Sequence, residues 1–164
     1  MGKEAAYTSI KQIPAGFKVF QLGYQNLDWG GGKYDLATWH MRNEGTYNVV
    51  YDEFNQSPER QTMAWRVVTR EKTSSVTVFN VLNVIQSKSE RATLLKRINK
   101  YCNYQKKRFN EYPVVIFQIY EGNRSGIPST KTVQNNMKTA AYLPEIQKAF
   151  PKWEPQRQGN FIIV

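Results

Sequence analysis

The residue types that most often carry catalysis are few in this sequence and stand far apart. The only histidine is His40 and the only cysteine is Cys102. Cys102 falls on the apolar side of a predicted helix, where a thiol is usually inert, and one histidine with one cysteine excludes a zinc site built on those ligands. The remaining candidates are scattered carboxylates: Asp28, Asp35, Asp52 and Glu53. We therefore expect no catalytic residue, no metal site and no cofactor.

Concentrated positive charge is the chemical feature that most clearly indicates a function. The net charge is +10, and residues 61–110 contain eleven basic and two acidic side chains. Like charges at helical spacing repel one another, so a helix that keeps them indicates contact with a polyanion such as nucleic acid. The candidate phosphate-binding residues here are Lys88, Lys96, Arg97, Lys100, Lys107 and Arg108. The alternative is a solvated basic surface without a specific partner.

Aromatic residues in polar surroundings suggest how the bases of a nucleic acid would be bound. Tyr104 stands among the lysines of the same helix, and Trp65 stands close to Arg66 and Arg70, which we add to the candidate binding residues. Rings of this kind stack on the bases of single strands. Other aromatics in polar or basic surroundings are Tyr24, Trp29, Tyr34, Trp39, Tyr47 and Tyr51. For each ring, packing in the core is the alternative.

Two glycine-containing loops offer further candidate phosphate contacts. Gly30-Gly31-Gly32-Lys33 and Gly122-Asn123-Arg124-Ser125-Gly126 combine exposed backbone amides with one cation each, so Lys33 and Arg124 join the candidates. The first loop lacks the spacing of a Walker A motif; as a hairpin tip it would contact a phosphate backbone. An ordinary turn is the favoured interpretation of both loops.

The elements that must position these residues follow from periodicity and turn signals. Residues 88–109 predict a long amphipathic helix, which Ser87 and Glu90 begin as a capping box. Runs rich in apolar and β-branched residues predict strands, and the short turns before residue 85 favour an antiparallel meander. The predicted strands are 17–22, 34–41, 46–52, 63–70, 75–85 and 113–120, with a last strand or docking arm at 161–164. Short helices are predicted at 130–141 and 144–150.

The fold class predicted from these elements is α+β. We expect an antiparallel sheet of about five to seven strands, one long amphipathic helix packed on it, and one or two short C-terminal helices. Residues 1–16 are interpreted as an N-terminal leader and residues 17–164 as a single domain. Within that domain, residues 151–164 are the expected docking arm, through which the chain would form a homo-oligomer.

Composition limits the cellular context. No apolar run approaches the roughly 20 residues that span a bilayer, so we expect no membrane association. The single cysteine excludes an intrachain disulfide, which favours a reducing, cytoplasmic compartment.

The predicted order of elements, a meander of strands followed by a long helix, is similar to that of the Whirly and PUR-type single-strand binders. We therefore expect a nucleic-acid-binding protein without catalysis, with single-stranded RNA ahead of single-stranded DNA. One alternative is a structural or interaction protein, such as a viral or phage assembly factor or an inhibitor of a host protein. The second alternative is a metal-dependent nuclease built on the scattered carboxylates.

Overall fold

Four adjacent strands pair in parallel along one side of a six-stranded mixed sheet in the computed structural model, which describes residues 11–164. The strand order is β2-β1-β3-β4-β6-β5, in which β6 pairs antiparallel with both β4 and β5. The strands are β1 (Gln25–Trp29), β2 (Tyr47–Tyr51), β3 (Ser75–Phe79), β4 (Val114–Gln118), β5 (Gln156–Gln158) and β6 (Phe161–Ile163).

Helices connect the parallel strands, as parallel pairing requires. The five α-helices are α1 (Gly16–Val19), α2 (Leu36–Asn43), α3 (Pro58–Arg70), α4 (Lys88–Phe109) and α5 (Leu143–Ala149). Helix α2 joins β1 to β2, α3 joins β2 to β3, and α4 joins β3 to β4. Within residues 11–164, short 3₁₀ segments lie at Leu82–Val84 and Thr139–Tyr142. No helix in the described part is long and apolar enough to cross a bilayer.

Helices α3 and α4 begin and end where their sequences supply caps. Ser57 precedes Pro58 and accepts a hydrogen bond from the amide of Arg60, and Ser87 accepts one from the amide of Glu90. Each serine satisfies an amide that the first helical turn leaves without a partner. Helix α4 ends at Asn110, whose left-handed conformation at φ 60° is typical of a helix terminus.

The two faces of the sheet differ in chemistry. One face presents Leu27, Trp29, Val76 and Val78, which pack in a single apolar core with residues of α3, α4 and α5. The opposite face carries a smaller apolar cluster, to which α1 and α2 contribute. Since α3 and α4 cover the same face, their side chains can form one continuous surface.

A polar network occupies the face beneath α2. Asn26 of β1 donates to Asn48 of β2 at 2.7 Å and to Thr77 of β3 at 2.8 Å, and Ser75 donates to Asn26 at 2.7 Å. Asp28, next on the same face of β1, is also fully buried. Buried polar groups of this kind are stable only when they are paired, so these bonds help to hold the three strands in register.

The predicted α+β class is confirmed, together with a sheet of six strands, the long helix over 88–109 and a short C-terminal helix. The antiparallel meander is wrong, because β1 pairs parallel with β2 and β3, and β3 pairs parallel with β4. With alternating strands and helices in place of a meander, the likeness in element order to Whirly and PUR-type proteins is absent.

Three predicted strands are helices in the structure. Residues 17–22 contain part of α1, residues 34–41 most of α2, and residues 63–70 the second half of α3. Arg66 and Arg70, predicted on a strand, therefore lie on α3. The segment MAWRVVTR is rich in strand-forming residues, yet Ala64 and Val68 are buried at helical i, i+4 spacing, so packing on the sheet overrides local propensity.

Other boundaries also change. The predicted strand 75–85 ends at Phe79 and is followed by the 3₁₀ segment at Leu82–Val84. The predicted helix 130–141 contains no α-helix, and only its last three residues belong to the 3₁₀ segment Thr139–Tyr142. Strands β1 and β5 have no predicted counterpart, and most of the predicted leader lies outside the described residues. The C-terminal strand β6 lies inside the chain's own sheet, between β4 and β5, so association through this segment stays a prediction.

Candidate nucleic-acid interface

A groove of about 790 Å³ lies between α3 and α4, near the carboxyl ends of β1 and β2. We call it the α3–α4 groove. Its walls combine aromatic rings, polar side chains of α3 and two cations of α4. The lining residues are Trp29, Tyr51, Pro58, Gln61, Thr62, Trp65, Thr69, Arg97, Lys100, Tyr101 and Tyr104. Rings and cations that the sequence places far apart are therefore neighbours on one surface.

Four rings form a connected cluster in this groove. Trp29 lies edge-on to Tyr51 with ring centroids 5.5 Å apart and edge-on to Trp65 at 6.0 Å. Trp65 also contacts Tyr51 at 5.5 Å and Tyr101 at 5.6 Å in tilted arrangements. Trp29 and Tyr101 are buried, whereas Trp65 keeps 39% of its surface exposed. The cluster thus has a rigid buried base and an accessible ring above it.

Hydrogen bonds from α4 to the end of α3 fix the width of the groove. The hydroxyl of Tyr104 donates to the carbonyl of Thr69 at 2.6 Å, and that of Tyr101 donates to the carbonyl of Val68 at 2.8 Å. Gln105 donates to the same Val68 carbonyl at 2.7 Å. Burial raises the pKa of Tyr101, so this hydroxyl remains protonated and able to donate.

Arg97 stands at the mouth of the groove, where it has three neighbours. Its guanidinium lies 5.5 Å from the centroid of the Trp29 ring, donates to the Tyr51 hydroxyl at 3.3 Å and forms an ion pair with Glu53. Desolvation lowers the pKa of Arg97, but its bonds to Glu53 and Tyr51 raise that pKa by more. Its charge is therefore permanent but partly neutralised by Glu53.

The structure brings some of the predicted binding residues together and separates others. Arg97, Lys100 and Tyr104 line the α3–α4 groove, whereas Arg66 and Arg70 are exposed on α3 outside its lining. The exposed cations of α4 outside the lining are Lys88, Lys96, Lys107 and Arg108. At about 100° per residue, Lys96 and Lys107 project on the same side of α4 as Lys100.

The two loop cations lie away from the groove lining. Lys33 follows β1 in a loop that leads to α2, so this loop is not a hairpin tip, and the Lys33 ammonium lies 5.3 Å from the ring centroid of Tyr34. Arg124 lies in the loop after β4 and pairs with Glu121 at 2.6 Å. These two residues do not join the surface that α3 and α4 form.

Some groove residues were not among the candidates from the sequence. Gln61 and Thr69 share one side of α3 with the candidate ring Trp65, at i, i+8 and i+4, a pattern that a helical interpretation of residues 58–70 would have shown. Tyr101 was not a candidate either, and the structure places its ring both in the apolar core and among the lining residues of the groove. The signal that was missed is the helical periodicity of residues 58–70.

A second concavity lies at the carboxyl ends of β1 and β3, and its lining includes Asp28, Asp52 and Asn80. Burial raises the pKa of Asp28 to about 7; hydrogen bonds from Asn48 and Thr77 oppose this shift, and the charge of Asp52 adds to it. The carboxylates that we described as scattered thus include two that share one cavity. We call it the β1–β3 cavity.

The candidate nucleophile and base of the sequence are not part of either concavity. Cys102 is buried, and burial raises the pKa of its thiol to about 12. His40 lies with its Nε2 3.3 Å from the carbonyl oxygen of Phe17. Within residues 11–164, no group of three or more His, Cys, Asp or Glu side chains is arranged to hold a metal ion.

Comparison with known proteins adds no assignment. No family model matches the chain, and no curated protein or solved structure is significantly similar to it.

Proposed function

We propose that this protein binds single-stranded nucleic acid, RNA ahead of DNA, along the α3–α4 groove and without catalysis. One observation carries the proposal: the rings of Trp65 and Tyr104 line the same groove as the cations Arg97 and Lys100. The two rings are 39% and 38% exposed, so a base can reach them. Rings stack on unpaired bases and cations contact the phosphates between them.

The charge beside the groove is available to a polyanion. Lys96, Lys100 and Lys107 are exposed and have no carboxylate partner among the described residues. They lie along one side of α4 over about 16 Å, at 1.5 Å per residue. This stripe of three lysines, which we call the lysine stripe, supplies the electrostatic part of binding.

Single strands fit the groove better than duplexes do. In a duplex the faces of the bases are stacked on one another and only their edges are accessible, so Trp65 would have no base face to contact. In a single strand each base offers a face for stacking, which makes such binding tolerant of sequence.

The test is a titration of fluorescently labelled single-stranded RNA and DNA, with a duplex as reference, across a series of salt concentrations. We expect the logarithm of affinity to fall linearly with the logarithm of salt, by about 0.7 for each phosphate neutralised on a single strand. The triple variant Lys96→Gln, Lys100→Gln, Lys107→Gln should reduce this slope by about 2.

A matched control removes the same charge elsewhere, through Lys131→Gln, Lys148→Gln and Lys152→Gln, all exposed outside the groove lining. This control should lose much less affinity than the lysine-stripe variant. Equal losses in the two variants, or binding that does not depend on salt, would overturn the proposal. Adding magnesium or manganese to the same mixtures detects strand cleavage, which the proposal does not include.

A further inference from the structure

An open pocket of about 670 Å³ lies at the carboxyl end of β4, beside the turn between β5 and β6. We call it the β4–β6 pocket. Residues 119–122 and 124, which follow β4, form one part of its lining, and residues 138, 140, 157, 159 and 160 form the rest. Because β1, β2 and β4 run in the same direction, the pocket lies at the same edge of the sheet as the α3–α4 groove.

The charge of the β4–β6 pocket is positive. Arg124, Lys138 and Arg157 are exposed cations, and Glu121 is the one acid among the described lining residues. Glu121 is already engaged, because one of its oxygens accepts from the amide and the hydroxyl of Thr139, both at 2.8 Å, and the other pairs with Arg124 at 2.6 Å. Lys138 and Arg157 have no carboxylate partner within residues 11–164. These two cations are therefore available to an anion from outside the chain.

Tyr120 adds an accessible ring to these cations. It is 58% exposed, although the preceding residue, Ile119, is fully buried. The Tyr120 ring pairs with no other aromatic ring in the described part of the chain. A ring beside unpaired cations is suited to a nucleotide unit, because the ring stacks on a base and the cations contact the adjacent phosphates.

Hydrogen bonds fix the position of the pocket relative to α4. The loop after β4 is closed where the side chain of Asn136 donates to the carbonyl of Ile127 at 2.9 Å. The same loop is tied to the connection between β3 and α4, since the Asn83 side chain donates to that of Gln134 at 2.9 Å and accepts from the amide of Tyr120 at 3.4 Å. The pocket is therefore attached to the segment that leads into α4, the helix that carries the lysine stripe.

The order of strands sets the separation of the two sites. The α3–α4 groove lies beside β1 and β2 and the β4–β6 pocket beside β4 and β6, about three strand spacings away in the sheet. At about 4.8 Å per spacing, the separation across the sheet is about 14 Å. Even at the rise of about 3.4 Å per nucleotide of a stacked strand, about four nucleotides cover this distance. A strand seated in the groove is therefore within reach of the pocket.

We propose that the β4–β6 pocket is a second contact for the single strand that the α3–α4 groove binds. Tyr120 stacks on one base, and Lys138 and Arg157 contact the phosphates on either side of it. This inference rests on the proposed function and adds to it the direction in which the strand leaves the groove, across the carboxyl ends of β3 and β4.

The test compares labelled oligouridines of 4 and 16 nucleotides, about the range of single-strand site sizes, binding to the full chain across a series of salt concentrations. The variant Lys138→Gln, Arg157→Gln, which we call the pocket variant, removes the two unpaired cations. For the 16-mer, the slope of log affinity against log salt should fall by about 1.4, and the affinity at about 0.1 M salt by about tenfold, because each phosphate contributes about 0.7 to the slope. The 4-mer occupies the groove alone, so it should bind the pocket variant as it binds the unmodified chain.

The matched control is Lys148→Gln, Lys152→Gln, which removes two exposed lysines that line neither the groove nor the pocket. Net charge changes equally in the two double variants. The control should therefore change the 16-mer slope much less than the pocket variant does.

Tyr120→Leu tests the ring. Affinity for the 16-mer should fall by at least about fivefold while the salt slope stays the same, because stacking does not depend on counterion release. Tyr24→Leu replaces a ring that is 80% exposed and lines neither site, and it should leave the affinity unchanged. Equal effects of the two substitutions would show that Tyr120 does not stack on a base.

The outcomes separate this inference from the proposed function. Equal 16-mer affinities of the pocket variant and its lysine control would overturn the second contact, whereas binding of the 4-mer would continue to support the groove. Failure of the unmodified chain to bind either length would overturn both. A hexaglutamate peptide that binds more tightly than the 16-mer, and that loses its binding in the pocket variant, would assign the pocket to an acidic protein partner instead.

Discussion

Arg97 of α4 forms an ion pair with Glu53, which follows β2, at the mouth of the α3–α4 groove. The Arg97 guanidinium also lies 5.5 Å from the centroid of the Trp29 ring. The pair joins a cation of the basic helix to one of the few acids close to it. It shows that the first sixty residues cancel part of the positive surface while leaving the lysine stripe free of carboxylate partners among the described residues.

Removal of Glu53 should strengthen nucleic-acid binding. In Glu53→Gln the Arg97 charge is no longer neutralised, so we expect affinity for single strands at low salt to rise by about two- to fivefold and the salt slope to steepen by up to about 0.7. The measurement is the salt-dependent oligonucleotide titration. Glu59→Gln, an exposed position on α3 without an ion pair among the described residues, controls for net charge. A weaker Glu53→Gln variant would contradict this account.

Trp65 should supply most of the stacking energy. Trp65→Leu keeps an apolar side chain but removes the ring, and we expect a loss of about 1–3 kcal/mol in binding to a single strand, with an almost unchanged salt slope. Fluorescence anisotropy with a labelled oligonucleotide measures both quantities. The control is Trp39→Leu on α2, where the ring is 59% exposed outside the groove lining. If the two substitutions have equal effects, the ring of Trp65 does not stack on a base.

Asp28 should make stability depend on pH. Its folded pKa is about 7 against an ordinary value of 3.8, so the native state holds a proton that the unfolded chain releases between these values. Its contribution to stability is therefore fully present below about pH 4 and is lost as pH rises to about 7.

Comparison with Asp28→Asn isolates this contribution from other titrating groups. Urea unfolding at several pH values should show the variant gaining stability relative to the unmodified chain as pH rises, by at most about 4 kcal/mol between pH 4 and pH 7. A difference that does not change with pH would show that the carboxyl is not buried in the folded protein.

Removing one partner of the buried ion pair between α4 and α5 should lower the free energy of unfolding. Arg91 donates to both carboxylate oxygens of Glu145, at 2.8 Å and 2.7 Å, and also to the carbonyl of Ile85 at 2.7 Å. Arg91→Met leaves Glu145 unpaired and should cost about 3–5 kcal/mol in urea unfolding. The double variant Arg91→Met, Glu145→Leu should be more stable than the single one. Equal stability of the two variants would indicate that solvent reaches Glu145.

The same pair shows that the number of cations in residues 61–110 overstates the positive charge available at the surface. Arg91 belongs by sequence to the run of cations between 88 and 108, but it is buried and structural. The hydrogen bonds that Arg91 donates to Glu145 are the largest cause of the raised pKa of Arg91. Only the fold distinguishes such a residue from the exposed lysines of the same helix.

The sequence by itself determined helix α4, because capping by Ser87 and an apolar stripe at helical period are local properties. It could not determine β1, because the buried residues Asn26 and Asp28 make QNLDW look polar, and their burial depends on partners in β2 and β3. Likewise the β-branched residues of α3 favour a strand by local propensity. The segment is a helix because a helix lets Ala64 and Val68 pack on the sheet together.

The candidate sites divide in the same way. Positive charge and aromatic content are properties of composition, so a basic, ring-containing surface was predictable. Its location was not, since Trp29, Tyr51 and Trp65 come from β1, β2 and α3 and meet only when parallel pairing places α3 and α4 on one face. The β1–β3 cavity had no signal in the sequence at all, because a crevice at the carboxyl ends of two strands exists only once their order in the sheet is fixed.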